Sequence, residues 1–211
     1  MANTNGAFGL RPIGVVGQAA NTTGATEYRI AAGNTNTIFQ GSPVIPLSTG
    51  FIDKVGAAAG GTVGLVGVFW GCEYVSSTTG ETIFANNWPG SGADTNHPVK
   101  AFVYDNPMQT FVICSDASLT SEATARGHMF ANANFADGAA GSSSTGISSA
   151  KLGVSTIATT ANLNLRIMGY QDDPENSDYT AAGIPVIVRL NNSFNSANGA
   201  IAGGTVSTTG V

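Results

Sequence analysis

Apolar and polar positions alternate most clearly along Val63-Gly64-Leu65-Val66-Gly67-Val68-Phe69-Trp70-Gly71-Cys72-Glu73-Tyr74-Val75. A period of two is the signature of a β-strand with one buried face, and it nominates Val66, Val68, Trp70, Cys72 and Tyr74 as structural core. The stretch exceeds the ~3–10 residues usual for a strand, so Gly67 or Gly71 is expected to mark a bulge or bend. A Ser/Thr/Gly turn at 76–80 and a returning strand at 81–85 complete a hairpin.

The same pattern predicts strands at 26–31 and, after Ile38 and Phe39, at 43–47. Pro43 and Pro46 cannot donate to a ladder, which assigns that second strand to a sheet edge. Residues 56–61 read as a Gly/Ala loop and 86–98 as a loop broken by Pro89 and Pro98. Residues 99–104 and 109–115 predict a hairpin around the turn Asp105-Asn106-Pro107-Met108. The segment at 121–126 fits either a short helix capped by Thr120 or Ser121, or an irregular strand. A Gly/Ser/Ala loop at 138–149 leads to strands at 163–170 and 184–190, separated by an acidic turn and ending the folded body.

Together these elements predict an all-β chain: a single β-sandwich or jelly-roll-like domain over residues 25–192. An extended N-terminal arm, 1–24, precedes it, and a Gly/Asn/Thr-rich, low-complexity C-terminal tail, 193–211, follows. Residues 1–24 hold too few apolar side chains to fold alone, so their order requires something to tie them down. The octapeptide at 199–206 repeats 56–63 with a single difference, which in a chain so rich in Gly, Ala and Thr reads as chance recurrence.

Composition narrows the function classes. Only 10% of residues are charged, against a usual value of about 25%, so the surface is largely uncharged and is cheap to desolvate against a partner. The net charge is −5 and the eight basic residues are scattered, which speaks against nucleic-acid binding. The first twenty residues hold one Arg and no continuous apolar run, so neither a secretory signal nor a membrane span is expected and synthesis is assigned to a cytoplasm.

No chemistry assembles from the motifs. Cys72 and Cys114 lie in apolar runs and read as two buried free thiols; a bridge would require neighbouring strands. His97 and His128 are the only bases for a hydrolase, and no Gly-x-Ser-x-Gly elbow accompanies them. Asp172, Asp173, Glu175, Asn176 and Asp178 gather oxygen ligands but lack the alternating pattern of a calcium loop, so a solvated turn is the simpler reading. The glycine-rich segments contain no phosphate-binding loop. Phe69, Trp70, Tyr74, Phe84 and Trp88 fit a hydrophobic core better than a sugar-binding face. No catalytic residue, cofactor or metal ligand is therefore assigned, and the chain is not read as an enzyme.

Several motifs together do resemble a family. Met1-Ala2-Asn3-Thr4-Asn5-Gly6-Ala7-Phe8-Gly9-Leu10-Arg11-Pro12, Gly41-Ser42-Pro43-Val44, Gly67-Val68-Phe69-Trp70-Gly71-Cys72-Glu73-Tyr74, residues 84–89 and Ser143-Ser144-Thr145-Gly146 are similar to structural proteins of tailed bacteriophages. The similarity spans roughly residues 1–192 and implies a capsid decoration, or cement, protein on the outer surface of the virion, made in the host bacterial cytoplasm. The partners it implies are the major capsid protein and further copies of the chain, as a homo-oligomer such as a trimer, with no nucleic acid and no membrane. An extended arm suits that role: Phe8, Leu10, Arg11, Pro12 and Ile13 are the residues expected to contact the capsid, by strand addition and apolar anchoring. A tail-associated or fibre protein that binds host surfaces or degrades glycans is the rival reading; the glycan-degrading form would expose Trp70 or Trp88 beside a carboxylate pair.

Overall fold

Two antiparallel sheets contain most of the regular structure, and their strands fall where the chain alternates apolar and polar residues or runs apolar. The computed structural model describes residues 3–17, 24–56 and 64–196. In chain order the strands are β1 (Arg11–Val15), β2 (Thr26–Ile30), β3 (Pro43–Pro46), β4 (Ile52–Lys54), β5 (Gly67–Val75), β6 (Thr82–Ala85), β7 (Val99–Tyr104) and β8 (Gln109–Cys114). A short helix, α1 (Glu122–Gly127), follows. After it come β9 (Asn132–Ala133), β10 (Phe135–Ala136), β11 (Gly141–Ser142), β12 (Ile147–Ser148), β13 (Lys151–Leu152), β14 (Leu165–Tyr170) and β15 (Pro185–Leu190). One sheet is five-stranded in the order β1-β8-β15-β14-β9; the other is six-stranded, β2-β7-β5-β3-β4, with β6 paired to the C-terminal half of β5. Two small ribbons, β10 with β13 and β11 with β12, decorate the connection from α1 to β14. The fold is all-β and sandwich-like, as the alternation predicts.

Two cores result. The first lies between the sheets, where Phe111, Ile113, Leu165, Ile167, Val186 and Val188 meet Ile45 and Val68. The second lies on the other side of the six-stranded sheet, which curls until β2 touches β4. Trp88 is its centre: it is fully buried, edge-on to the Tyr74 ring at 5.4 Å, and its Nε1–H donates to the Asn34 carbonyl at 3.2 Å.

Gly67–Val75 of that stretch forms β5 and pairs with β6 as a hairpin, but the described part of the stretch, from residue 64, does not bury a single face. Val68 enters the first core, whereas Val66, Phe69, Cys72 and Tyr74 enter the second. The register against β7 shifts between Phe69 and Gly71, which puts Phe69 and Cys72 on the same side and marks the irregularity expected near Gly71. Trp70 sits at that irregularity and is half-buried, edge-on to Tyr104 at 5.6 Å, so it is not a core residue as the alternation implies. Gly67 is required for a different reason: a Cβ there would lie 2.3 Å from the Tyr104 carbonyl oxygen.

Three other expectations are corrected. The hairpin predicted across 99–115 does not form, because β7 pairs with β2 and β5 while β8 pairs with β1 and β15. The turn at 105–108 instead carries the chain from one sheet to the other, closed by the Gln109 N–H donating to the Asn106 carbonyl at 2.9 Å. Alternation identifies a strand, but says nothing about which strand it pairs with. Next, β3 lies inside the six-stranded order between β5 and β4; its prolines are tolerated because they occupy the two ends of the strand. Finally, the division at 25 and 192 leaves out parts of the body. Residues 3–16 and 193–196 are built into it: β1 extends the five-stranded sheet, and Ser193, 2% exposed, bridges to Leu65. In the segment that fitted either a helix or a strand, α1 forms, with the Ser121 hydroxyl accepting from the Thr124 N–H. The Gly/Ala loop beyond Gly56, the octapeptide recurrence at 199–206 and the tail from 197 lie outside the described residues.

Candidate partner interface

The N-terminal segment is extended, and what it docks on is its own chain. The Asn3 side chain donates to the carbonyls of Asp178 (3.0 Å) and Ala182 (2.8 Å) and accepts from the Asp178 N–H at 3.0 Å. The buried Asn176 Oδ1 accepts from the N–H groups of Thr4 (2.8 Å) and Asn5 (2.7 Å), and its Nδ2 donates to Asp173 at 2.8 Å. The acidic turn is thereby a clasp for the N-terminus. Asp173 caps the 3-10 turn Pro174–Asn176, and the Asp178 carboxylate accepts from the Thr180 hydroxyl and N–H, which hold it below the usual carboxylate range. Among the described residues no group of three or more His, Cys, Asp or Glu side chains is placed to hold a metal ion.

Gly9 makes the next contact possible. Its φ is +69°, and a Cβ there would stand 2.7 Å from the Gly41 carbonyl oxygen. The Leu10 N–H donates to that same carbonyl at 3.0 Å, and the Gly41 N–H donates to the Phe69 carbonyl at 2.8 Å. The loop at 143–146 joins from the other side: the Gln40 N–H donates to the Gly146 carbonyl at 2.9 Å, and Asn86 Nδ2 donates to the Thr145 carbonyl at 3.0 Å. Motifs far apart in the chain thus meet around Gln40 and Gly41, and their hydrogen bonds hold one another in place.

Of the five residues expected to reach a capsid, Leu10 is ruled out, because it is fully buried in the first core. Phe8 and Pro12 are half-buried, with the Arg11 guanidinium stacked 4.4 Å over the Phe8 ring. Arg11 is exposed, and Ile13, at a bulge in β1, is 47% exposed. Of the expected core residues, Val66, Val68, Cys72 and Tyr74 are buried and Trp70 is not.

The remaining candidates are structural. Cys72 and Cys114 are free and buried, one in each sheet. Burial pushes the Cys72 thiol up to about 12 and raises that of Cys114, so neither is a ready nucleophile. His97 is exposed and bonds Asp94 at 2.9 Å; His128 ends α1 with its backbone N–H on the Ala125 carbonyl. The aromatic run offers no platform, since Phe69, Tyr74 and Trp88 are buried and only Phe84 stands out, at 73% exposed. A cleft of about 320 Å³ opens beside β2 and β4, lined by Tyr28, Leu47, Phe51, Val66 and Phe194. Two of its polar groups are already engaged: the Tyr28 hydroxyl donates to Asp105 at 2.9 Å and accepts from the Asn195 Nδ2 at 3.2 Å.

What stands out is apolar surface around one sheet. Four large apolar side chains are exposed among the described residues, and three of them, Ile13, Met108 (42%) and Phe130 (70%), border the five-stranded sheet. Met108 is held beside β1 by its carbonyl accepting the Val16 N–H at 2.8 Å. Phe130 reaches the β14 margin because its N–H, at a positive φ of 68°, donates to the Ile167 carbonyl at 3.0 Å. The sequence singles out Ile13 alone of these: Met108 reads as a turn residue, and Phe130 lies in a segment without periodicity. Compared with known proteins, the chain matches no family model, no curated protein and no solved structure.

Proposed function

We propose that the protein is a virion structural protein of a tailed bacteriophage, a capsid decoration (cement) protein that binds the outer surface of the head and stabilises the lattice of the major capsid protein. The observation that carries the reading is that three of the four exposed large apolar side chains among the described residues, Ile13, Met108 and Phe130, border one sheet. Such side chains are anchors when a partner covers them, and the weakly charged surface around them desolvates at little cost. Many copies on a repeating lattice make contacts durable that would be weak singly. The motif resemblance of residues 1–192 supplies the lattice: a phage head. The glycan-degrading form of the rival reading needs Trp70 or Trp88 exposed beside a carboxylate pair, and Trp88 is fully buried and Trp70 half-buried.

Mixing the purified protein with heads that lack it tests the reading. The expected result is stoichiometric co-sedimentation and greater heat resistance of the heads. Changing Ile13 and Met108 together to Asp is expected to weaken binding by about tenfold or more while leaving the fold intact. Heads that neither bind the protein nor gain heat resistance would contradict the assignment.

A further inference from the structure

The two sheets differ in their charges. The strands of the six-stranded sheet carry Glu27, Asp53 and Glu73 alongside Arg29, Lys54 and Lys100, and close pairs form at Glu27–Arg29 (3.0 Å) and Glu73–Lys100 (2.9 Å). The strands of the five-stranded sheet carry Arg11, Arg166 and Arg189 and no Asp or Glu at all. In a chain with a net charge of −5, that is a local reversal of sign.

Register places the arginines on one face. Residues directly opposite in an antiparallel pair point to the same side. Phe111 with Val188 and Ile113 with Val186 point into the first core, so Val112 with Ile187 and Thr110 with Arg189 point away from it. Arg166 is directly opposite Arg189, and Arg11 is directly opposite Val112. The outward face therefore presents two facing arginines next to Val112 and Ile187, with Arg11 near its β1 edge.

That arrangement is unbalanced as it stands. Like charges directly opposite on a sheet are destabilising. Arg189 is half-buried; desolvation, then the neighbouring Arg166, lowers its pKa. Its Nε is buried with no hydrogen-bond partner, and its Nη1 reaches only the Met108 sulfur at 3.5 Å. Arg166 has the Asn132 side-chain oxygen at 3.1 Å. Among the described residues none of these three arginines lies within ion-pair distance of a carboxylate. Half-buried guanidinium groups find their best partners in planar carboxylates, which accept two parallel N–H bonds.

We propose that the outward face of the five-stranded sheet docks an acidic, apolar-interspersed segment of a partner protein, with Arg166 and Arg189 receiving its carboxylates and Ile13, Met108 and Phe130 covering its apolar side chains. The proposal rests on the attachment role given above and names the chemistry of the partner surface. Charge complementarity commits it to an acidic polypeptide. A nucleic acid would gain little, since three cations neutralise few phosphates and the chain as a whole carries a net charge of −5. A second copy of this chain is an outcome that the test below separates.

The probe is a fluorescein-labelled short peptide of alternating leucine and glutamate, read by anisotropy, beside its leucine–lysine counterpart and a single-stranded oligothymidylate. Expected is binding of the leucine–glutamate peptide alone, weakening as salt rises, and weakened about tenfold or more in Arg166→Gln/Arg189→Gln. The Arg166→Lys/Arg189→Lys protein keeps the charge without the bidentate fork; it is expected to fold and to bind with intermediate strength, which covers the case in which the Gln variant fails to fold. Equal binding of both peptides, binding unchanged in the Gln or the Lys variant, or preference for the oligonucleotide would overturn the proposal. Self-association in sedimentation that the Gln variant abolishes would overturn it in favour of a second copy. If heads bind wild type and the Gln variant alike, this site falls and the decoration role stands; if the peptide binds as expected but heads do not, the reverse holds.

Discussion

Removing residues 1–10 is expected to abolish cooperative folding, not simply to detach the protein from a partner. Leu10 is fully buried between the sheets and its N–H donates to the Gly41 carbonyl, while Asn3, Thr4 and Asn5 hold the turn at 176–183 through backbone and asparagine hydrogen bonds. Leu10→Ala alone is expected to cost about 3 kcal/mol. For a chain of this size that lowers Tm by about 9 °C. The truncation removes Leu10 together with the clasp bonds and the Gly6 carbonyl over Cys114, a sum comparable to the whole stability of an ordinary domain, about 5–15 kcal/mol. Thermal unfolding followed by near-ultraviolet circular dichroism checks it. A truncated protein that melts cooperatively within about 2 °C of the full chain would show that the segment is a dispensable arm.

The second large effect is at Asn176. Its side chain is 4% exposed and satisfies the N–H groups of Thr4 and Asn5 while donating to Asp173. Asn176→Ala removes the acceptor of those donors and the donor to Asp173; Thr4 is exposed and Asn5 half-buried, so each of the three bonds is worth about 0.5–1.5 kcal/mol net. The expected loss is about 3 kcal/mol, with the amides of Thr4 and Asn5 losing protection from hydrogen exchange before the rest of the body. Asn176→Asp keeps the acceptor oxygen but sets a second carboxylate against Asp173, so it is expected to be destabilising above the carboxylate pKa range and nearly neutral below it. If Asn176→Ala melts like the parent and the amide protection of Thr4 and Asn5 is unchanged, the clasp is not what holds the N-terminus.

What is legible in the sequence depends on what each signal encodes. The strands at β2, β5, β6, β14 and β15 are legible because a period of two is written directly in the residues. Pairing is not written there. Residues 99–104 and 109–115 look like the best hairpin of the chain, yet the turn between them changes sheets, since both edges of β7 are taken by β2 and β5. The acidic turn looks like ligands or solvent because its role belongs to one amide, Asn176, and to residues more than half the chain away. The candidate interface is legible in part. Ile13 stands out as an apolar residue in a polar segment, but the juxtaposition of Arg166 with Arg189 follows only from the β14/β15 register. The absence of Asp and Glu from β1, β8, β14 and β15 is visible in the sequence, and becomes informative once those strands are known to share a sheet.

The most direct measurement of the central claim is a reconstruction by electron cryomicroscopy of phage heads with and without the protein. The decoration role predicts added density on the outer surface of the head that fits this sandwich, with the five-stranded sheet and its Ile13, Met108 and Phe130 border turned toward the shell. Heads whose outer surface is the same in both maps, or added density confined to the tail, would contradict it.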